Sequence, residues 1–233
     1  MKRIISLALL FMIVAFALCS CGNNDDIAEE VRIYRENKFK IYREENEKYS
    51  DYEVDVAFLG DSLTDLYDVT NYYPNFLVSN RGIGGDTTFT LEERLQVSVY
   101  DLKPKVVVML IGANNFNTMF DNYERILKGF EENLPNTNVV LLSLTSMSGE
   151  IWGANNKLAA YNNAKIKLYA EKYDFEFVDL YTPLMNLETG GIYDEYTTDG
   201  GHLTDKGYEV LTRCITPVVH EQVALWKSEN NVE

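Results

Sequence analysis

Between Val54 and Leu180 the chain repeats one pattern: an apolar run of strand length, a turn signal, then a stretch of helical length. The runs are Val54 to Gly60, Phe76 to Asn80, Val106 to Gly112, Asn138 to Leu144 and Glu176 to Leu180. Strands that alternate with helices are joined by crossovers, and crossovers make neighbouring strands parallel. In the third run, Lys105-Val106-Val107-Val108-Met109-Leu110-Ile111, every residue after the lysine is apolar, as a central strand covered by helices on both sides requires. The pattern predicts an α/β fold, a three-layer α/β/α domain on a parallel five-stranded sheet. In open sheets of this kind ligands bind beyond the carboxyl ends of the strands. Chemistry is therefore expected in the loops after Gly60, Asn80, Gly112 and Leu180.

Thr87 to Asp101, Phe116 to Leu134 and Asn155 to Tyr173 have helical length, good helix formers and apolar residues at helical spacing. Thr204 can cap a last helix expected to reach about Ile215, where Pro217 removes a backbone donor and should bend or interrupt it. Upstream, Ile27 to Tyr49 is rich in Glu, Lys, Arg and Tyr and lacks Gly and Pro, which predicts a helix with many charge pairs. Its near-repeat IYRENK and IYREEN is too short for a solenoid, and a spacer helix laying one face on the domain is expected.

The first residues have the composition of an export signal: Lys2 and Arg3, an apolar run from Ile4 to Leu18, then small residues and Cys21. That run is shorter than the roughly 20 residues a membrane-spanning helix needs. Leu18-Cys19-Ser20-Cys21 resembles a bacterial lipobox, which implies removal of residues 1–20 and acylation of Cys21. Gly22 to Asp26 then reads as a polar tether between a lipid anchor at the membrane surface and the folded part. The expected division is a signal over 1–20, lipidated cysteine, tether and helix over 21–50, and the α/β domain over 51–233, in an exported protein of the cell envelope. Of three cysteines, Cys19 leaves with the signal and Cys21 carries lipid, so Cys214 has no partner and no disulfide framework is expected. A formal charge of −15, more negative still without Lys2 and Arg3, disfavours nucleic acid as a partner.

The first strand ends in Gly60-Asp61-Ser62-Leu63-Thr64, which places a hydroxyl at the carboxyl edge of the sheet. Such a serine is either a nucleophile or part of a helix start. A nucleophilic serine needs a base, and the chain has two histidines. His202 lies in Thr198-Asp199-Gly200-Gly201-His202-Leu203-Thr204, with Asp199 near enough in sequence to orient its ring. The competing reading is a turn whose aspartate caps the last helix. His220 follows Pro217 in helical sequence and reads as a plain helix residue. Acyl transfer also needs donors for a developing oxyanion. Asn80-Arg81-Gly82-Ile83-Gly84-Gly85-Asp86-Thr87 can present a bare backbone N–H beside a helix start, and Gly112-Ala113-Asn114-Asn115 can supply a side-chain amide. A Gly-Lys-Ser/Thr string, a GxGxxG after the first strand and an HExxH are all missing, which argues against nucleotide binding and against zinc.

Taken in order, GDSLT at 60–64, NRGIGGDT at 80–87, GANN at 112–115 and DGGHLT at 199–204 resemble the four blocks of the SGNH (GDSL) hydrolase family, from about Val54 to Thr212. The resemblance implies a flavodoxin-like sheet and a serine esterase without metal or cofactor. By it Ser62 is the nucleophile, His202 the base and Asp199 the residue behind it. The Ser62 N–H, the Gly85 N–H and the Asn114 amide would form the oxyanion hole. GIGGDTT and KPKVVVMLIGANN are similar to the acetylhydrolase members, which implies a short acyl group, acetyl, transferred through an acyl-enzyme. Asn115 departs from the aspartate many members carry, at a position outside the four catalytic roles. The envelope location makes an O-acetylated carbohydrate the expected ester. The rivals are a lysophospholipase or thioesterase, for whose long acyl channel no contiguous apolar loop is present, and a silent binding lipoprotein, in which a catalytic residue would be missing. Trp152, Tyr193 and Tyr196 are expected near the site, either to stack on sugar rings or as ordinary amphipathic surface residues.

Overall fold

In the computed structural model, Val56–Gly60 (β1), Val78–Gly82 (β2), Val106–Leu110 (β3), Asn138–Leu142 (β4) and Glu176–Val178 (β5) form one parallel sheet in the order β2-β1-β3-β4-β5. Residues 24–232 are described; the expected signal, the lipobox and Cys21 lie outside the described residues. Every residue of β1 and β3 is buried, which explains why these runs carry no polar face. Phe58 of β1 stands between Asn80 of β2 and Val108 of β3. Strand order reverses between β1 and β3, the switch point where a doubly wound sheet opens a crevice.

The helices are α1 (Asn24–Lys48), α2 (Ser62–Asp65), α3 (Val69–Tyr72), α4 (Thr88–Glu92), α5 (Tyr123–Asn133), α6 (Gly149–Trp152), α7 (Asn156–Tyr173), α8 (Tyr181–Leu184) and α9 (Asp205–Glu229). The segment around α2 and α3 packs with α9: Tyr67 stacks on Tyr208 at 5.3 Å, and the Tyr208 hydroxyl donates to the Leu63 carbonyl at 2.9 Å. The other layer joins α4, α5 and α7 through Thr88 Oγ1 on Asn122 (2.6 Å), Arg125 on Glu92 (2.9 Å) and Lys172 on Glu124 (2.5 Å). The expected α/β/α sandwich is thus formed.

Three helices differ from expectation. Thr87 to Asp101 divides into α4 and a wider π-helical turn over Gln96–Tyr100, just after Arg94 turns its side chain inward. The helix expected from Phe116 starts at Tyr123, because Asn122 is drawn to Thr88 and Glu92 and the chain before it closes over the sheet as a loop and a short 3₁₀ turn. Pro217 does not stop the last helix, which runs unbroken to Glu229. Beyond the proline, Val219, Val223 and Trp226 are all buried. At about 1.5–3 kcal/mol for each large apolar side chain buried, they outweigh the roughly 3 kcal/mol a helical proline costs. His220 is an ordinary helix residue, edge-on to Phe76 at 4.7 Å.

The chain groups into two units, one ending at Glu44 and one beginning at Glu45. The first contains most of α1, which starts at Asn24, inside the stretch read as tether. Asn and Asp are helix-opening residue types, so the polar composition there admits both readings. Its expected charge pairs are present, Arg32 bonding Glu29 at 2.6 Å. In the second unit, Glu45 accepts from Ser79 (2.6 Å) and from the buried Arg81 (2.9 Å) on β2.

Candidate active site

Ser62 is the first residue after the turn that ends β1. Asp61 caps α2 by accepting the Leu63 N–H at 3.1 Å, and this sharp turn lifts the serine to the sheet edge, 6% exposed. Its Oγ lies 3.1 Å from His202 Nε2, and His202 Nδ1 lies 2.7 Å from Asp199 Oδ2. The other Asp199 oxygen accepts the backbone N–H groups of Gly201 (2.9 Å) and His202 (2.7 Å). Partial burial would raise the Asp199 carboxyl, but the bonds from the His202 ring and from these two amides outweigh it and hold it well below the usual carboxylate range. An aspartate kept ionised can only accept, so it holds the proton on Nδ1 as a hydrogen-bond donor and leaves the Nε2 lone pair directed at the serine.

Two glycines make this turn possible. Gly200 has φ +94, and a Cβ on it would stand 2.1 Å from the Ser148 carbonyl oxygen. A Cβ on Gly201 would stand 2.6 Å from the Trp152 indole. That ring meets His202 edge to face, 5.5 Å between centroids. Trp152 therefore lies beside His202, near the site as expected. Tyr193 and Tyr196 pack on each other at 5.4 Å instead and do not line the cleft.

The remaining candidates sit at the ends of the two strands flanking β1. After β2, Gly85 adopts φ +80, and among the described residues none beyond its chain neighbours lies within 4 Å of where a Cβ would project. After β3, the Asn114 amide donates to the Asp86 carbonyl at 2.9 Å, which fixes its orientation. Asn115 accepts the Thr88 N–H (3.2 Å) and donates to the Thr88 hydroxyl (2.9 Å). An aspartate could make only the first of these bonds, so asparagine here matches a threonine whose own hydrogen goes to Asn122.

A cleft of about 250 Å³, partly open to solvent, is lined by Asp61, Ser62, Leu63, Ala113, Asn114, Met147, Trp152, Gly201 and His202. Met147 is a wall that the sequence reading lacks, since it comes from the loop after β4. Arg94 was also missed. It is 2% exposed and bonds Asp86, Ser98 and the carbonyls of Gly60 and Arg81. Its signal was the position itself, a charged residue between Leu91 and Leu95 and four before Ser98 on a helical stretch. Asp61 is a third addition: burial pushes its carboxyl up to about 7, and its Oδ2 has no hydrogen-bond partner among the described residues.

A serine, a histidine and a carboxylate stand in line at the switch point of a parallel sheet, an arrangement suited to acyl transfer, and with the family match that follows it makes the protein a carboxylic ester hydrolase. More narrowly, the chain belongs to the GDSL-like Lipase/Acylhydrolase family, which matches residues 58–210. It is 32% identical over 178 residues to platelet-activating factor acetylhydrolase IB subunit alpha2 of Rattus norvegicus, covering 72% of this chain and 77% of that one. Its structure is similar to a GDSL-like lipase from Bacteroides thetaiotaomicron VPI-5482, with TM-score 0.70 and 25% identity over 78% of this chain and 97% of that one. It shares its fold with an acetyl xylan esterase from Geobacillus stearothermophilus, with TM-score 0.59 and 20% identity over 72% of this chain and 95% of that one.

Proposed function

We propose that the protein cleaves esters of a short acyl group, acetyl, with Ser62 as nucleophile, His202 as base and Asp199 as its orienting partner. The observation that carries this is the continuous line from Ser62 Oγ through His202 to Asp199 at 3.1 and 2.7 Å. Ser62 Oγ attacks the ester carbonyl while its proton passes to His202 Nε2. The oxyanion is received by the N–H groups of Ser62 and Gly85 and by the Asn114 amide. Collapse expels the alcohol, which takes the proton from Nε2. Water then attacks the acyl-serine by the same route, releasing the acid and restoring Ser62.

The short acyl group is supported by the cleft, whose walls include the bulky side chains of Leu63, Met147 and Trp152. The rat relative, an acetylhydrolase by name, supports it too. We further propose export, acylation of Cys21 and, from the envelope location this gives, an O-acetylated carbohydrate as natural substrate. The supports for export and acylation are in the sequence alone. Incorporation of a labelled fatty acid that disappears in Cys21→Ala is the expected sign of the anchor.

The activity is tested with wild type and Ser62→Ala on p-nitrophenyl esters of two, four, eight and twelve carbons, with chelator present. The expected result is Ser62-dependent turnover fastest on acetate, and a loss of at least about a thousandfold in the variant. A preference for the long esters overturns the acyl-length proposal and favours a lipase. Equal rates for the two proteins overturn the assignment of Ser62.

A further inference from the structure

The three oxyanion donors come from three separate segments, after β1, β2 and β3, and their spacing is useful only if those segments hold one relative position. A single buried ion pair joins all of them. Arg94 Nε donates to Asp86 Oδ2 at 2.6 Å, with both side chains at most 1% exposed. Arg94 Nη2 donates to the carbonyl of Gly60, two residues before Ser62, at 2.9 Å. Nη1 of the same residue donates to the carbonyl of Arg81 on β2 at 3.0 Å and to Ser98 Oγ at 2.8 Å. Asp86 follows Gly85 directly, and its own carbonyl accepts the Asn114 amide at 2.9 Å. One guanidinium therefore touches the nucleophile strand and the glycine loop, and reaches the asparagine loop through one intervening residue.

Burying two charges is costly, and apolar residues of similar volume commonly serve stability equally well. What apolar residues cannot do is hold two carbonyls and a carboxylate at fixed angles, a task suited to the planar fork of arginine. We propose that Arg94, acting through Asp86, is the positioning residue of the oxyanion hole: it touches no substrate and sets the distances among Ser62, Gly85 and Asn114. This rests on Gly85 and Asn114 being hole donors. Donors displaced by about 1 Å cost on the order of 10²-fold in rate, and the cost falls on the transition state, because only there does the oxygen carry charge.

The test compares wild type, Arg94→Lys, Arg94→Met and the double variant Arg94→Met with Asp86→Asn, which removes both charges and leaves none unpaired. The measurements are kcat and KM on p-nitrophenyl acetate, the affinity for a small alkylboronic acid that forms a tetrahedral adduct on serine, and Tm. The expected result is a fall in kcat of about 10- to 100-fold in the double variant, with KM within about threefold and boronate affinity falling in parallel with kcat. Arg94→Lys, with one nitrogen in place of the fork, should recover part of kcat. A double variant that loses Tm but keeps kcat and boronate affinity would reduce Arg94 to a structural role and overturn the proposal. So would a loss confined to KM. Ser62→Ala assayed alongside separates the two assignments: if it retains activity the site assignment itself fails, whereas an inactive Ser62→Ala with a fully active double variant defeats only the role of Arg94.

Discussion

Ser62, Gly85 and Asn114 stand at the ends of three adjacent strands and are joined through buried groups, whereas Asp199 and His202 stand on a loop well beyond the end of β5. The first group inherits its geometry from the sheet: β1 pairs with both β2 and β3 in register, and Arg94 is fully inside. The second group makes its own geometry, with Asp199 accepting from Gly201 and from His202 twice and the loop pressed on Ser148 and Trp152. The proposed function is shared between the halves, but only the strand half is built into the sheet. Damage to the strand half should reach the fold, and damage to the loop half should stay with the chemistry.

The largest expected effect tests the loop half. His202→Ala should lower kcat at least about a thousandfold while Tm changes by only a degree or so, since the side chain, 13% exposed, lines the cleft on a self-supporting turn and is not part of the apolar core. A large fall in Tm would break the distinction. Asn114→Ala tests the strand half: turnover should fall by roughly 10² to 10³, together with about 1 kcal/mol of stability as the Asp86 carbonyl loses its partner. Gly200→Ala is placed to cross the boundary. With φ +94 and the Ser148 oxygen 2.1 Å from the new Cβ, it should cost about 1–3 kcal/mol and move His202, so activity and Tm should fall together. If both are kept, the loop is more yielding than its contacts indicate.

The smallest effect concerns Asp61. Its carboxyl has an ordinary value of 3.8 and is pushed up to about 7 by burial. Between those values the folded state binds the extra proton, so this group lowers stability as pH rises and the loss is complete above about 7. Asp61→Asn keeps the shape and the Leu63 bond without the ionisation. Thermal melts should show the Tm of the variant gaining on that of wild type from about pH 4 to 7 and holding steady above. A constant difference would mean that the buried carboxyl does not titrate there.

The same division marks how far the sequence could be read. The sheet was legible because strands buried on both faces are apolar throughout, as in Val106 to Leu110. The proposed catalytic residues were legible because glycines, a serine and an asparagine fall where strand ends must lie, and because an aspartate, two glycines and a histidine fall together just before the last helix. Arg94 was not, since a guanidinium on a helix reads as solvent-facing until its partners are known, and half of those partners, at Gly60 and Arg81, are backbone carbonyls, which have no sequence signature. Pro217 misled for a related reason: local cost is visible in the sequence, and the burial of Val219, Val223 and Trp226 that offsets it is not. Tyr193 and Tyr196 were placed near the site by loop position alone, and their mutual packing at 5.4 Å took precedence.

The bare α-carbon of Gly201 lets the indole of Trp152 approach the imidazole of His202 to 5.5 Å, and that nearness has an optical consequence. An excited indole gives up an electron to a protonated imidazole far more readily than to a neutral one, and its emission is quenched. The chain has only two tryptophans, so with Trp226 replaced by phenylalanine the remaining emission would dim and brighten with the charge on His202. The protein thus carries its own reporter of the proton that its proposed mechanism moves.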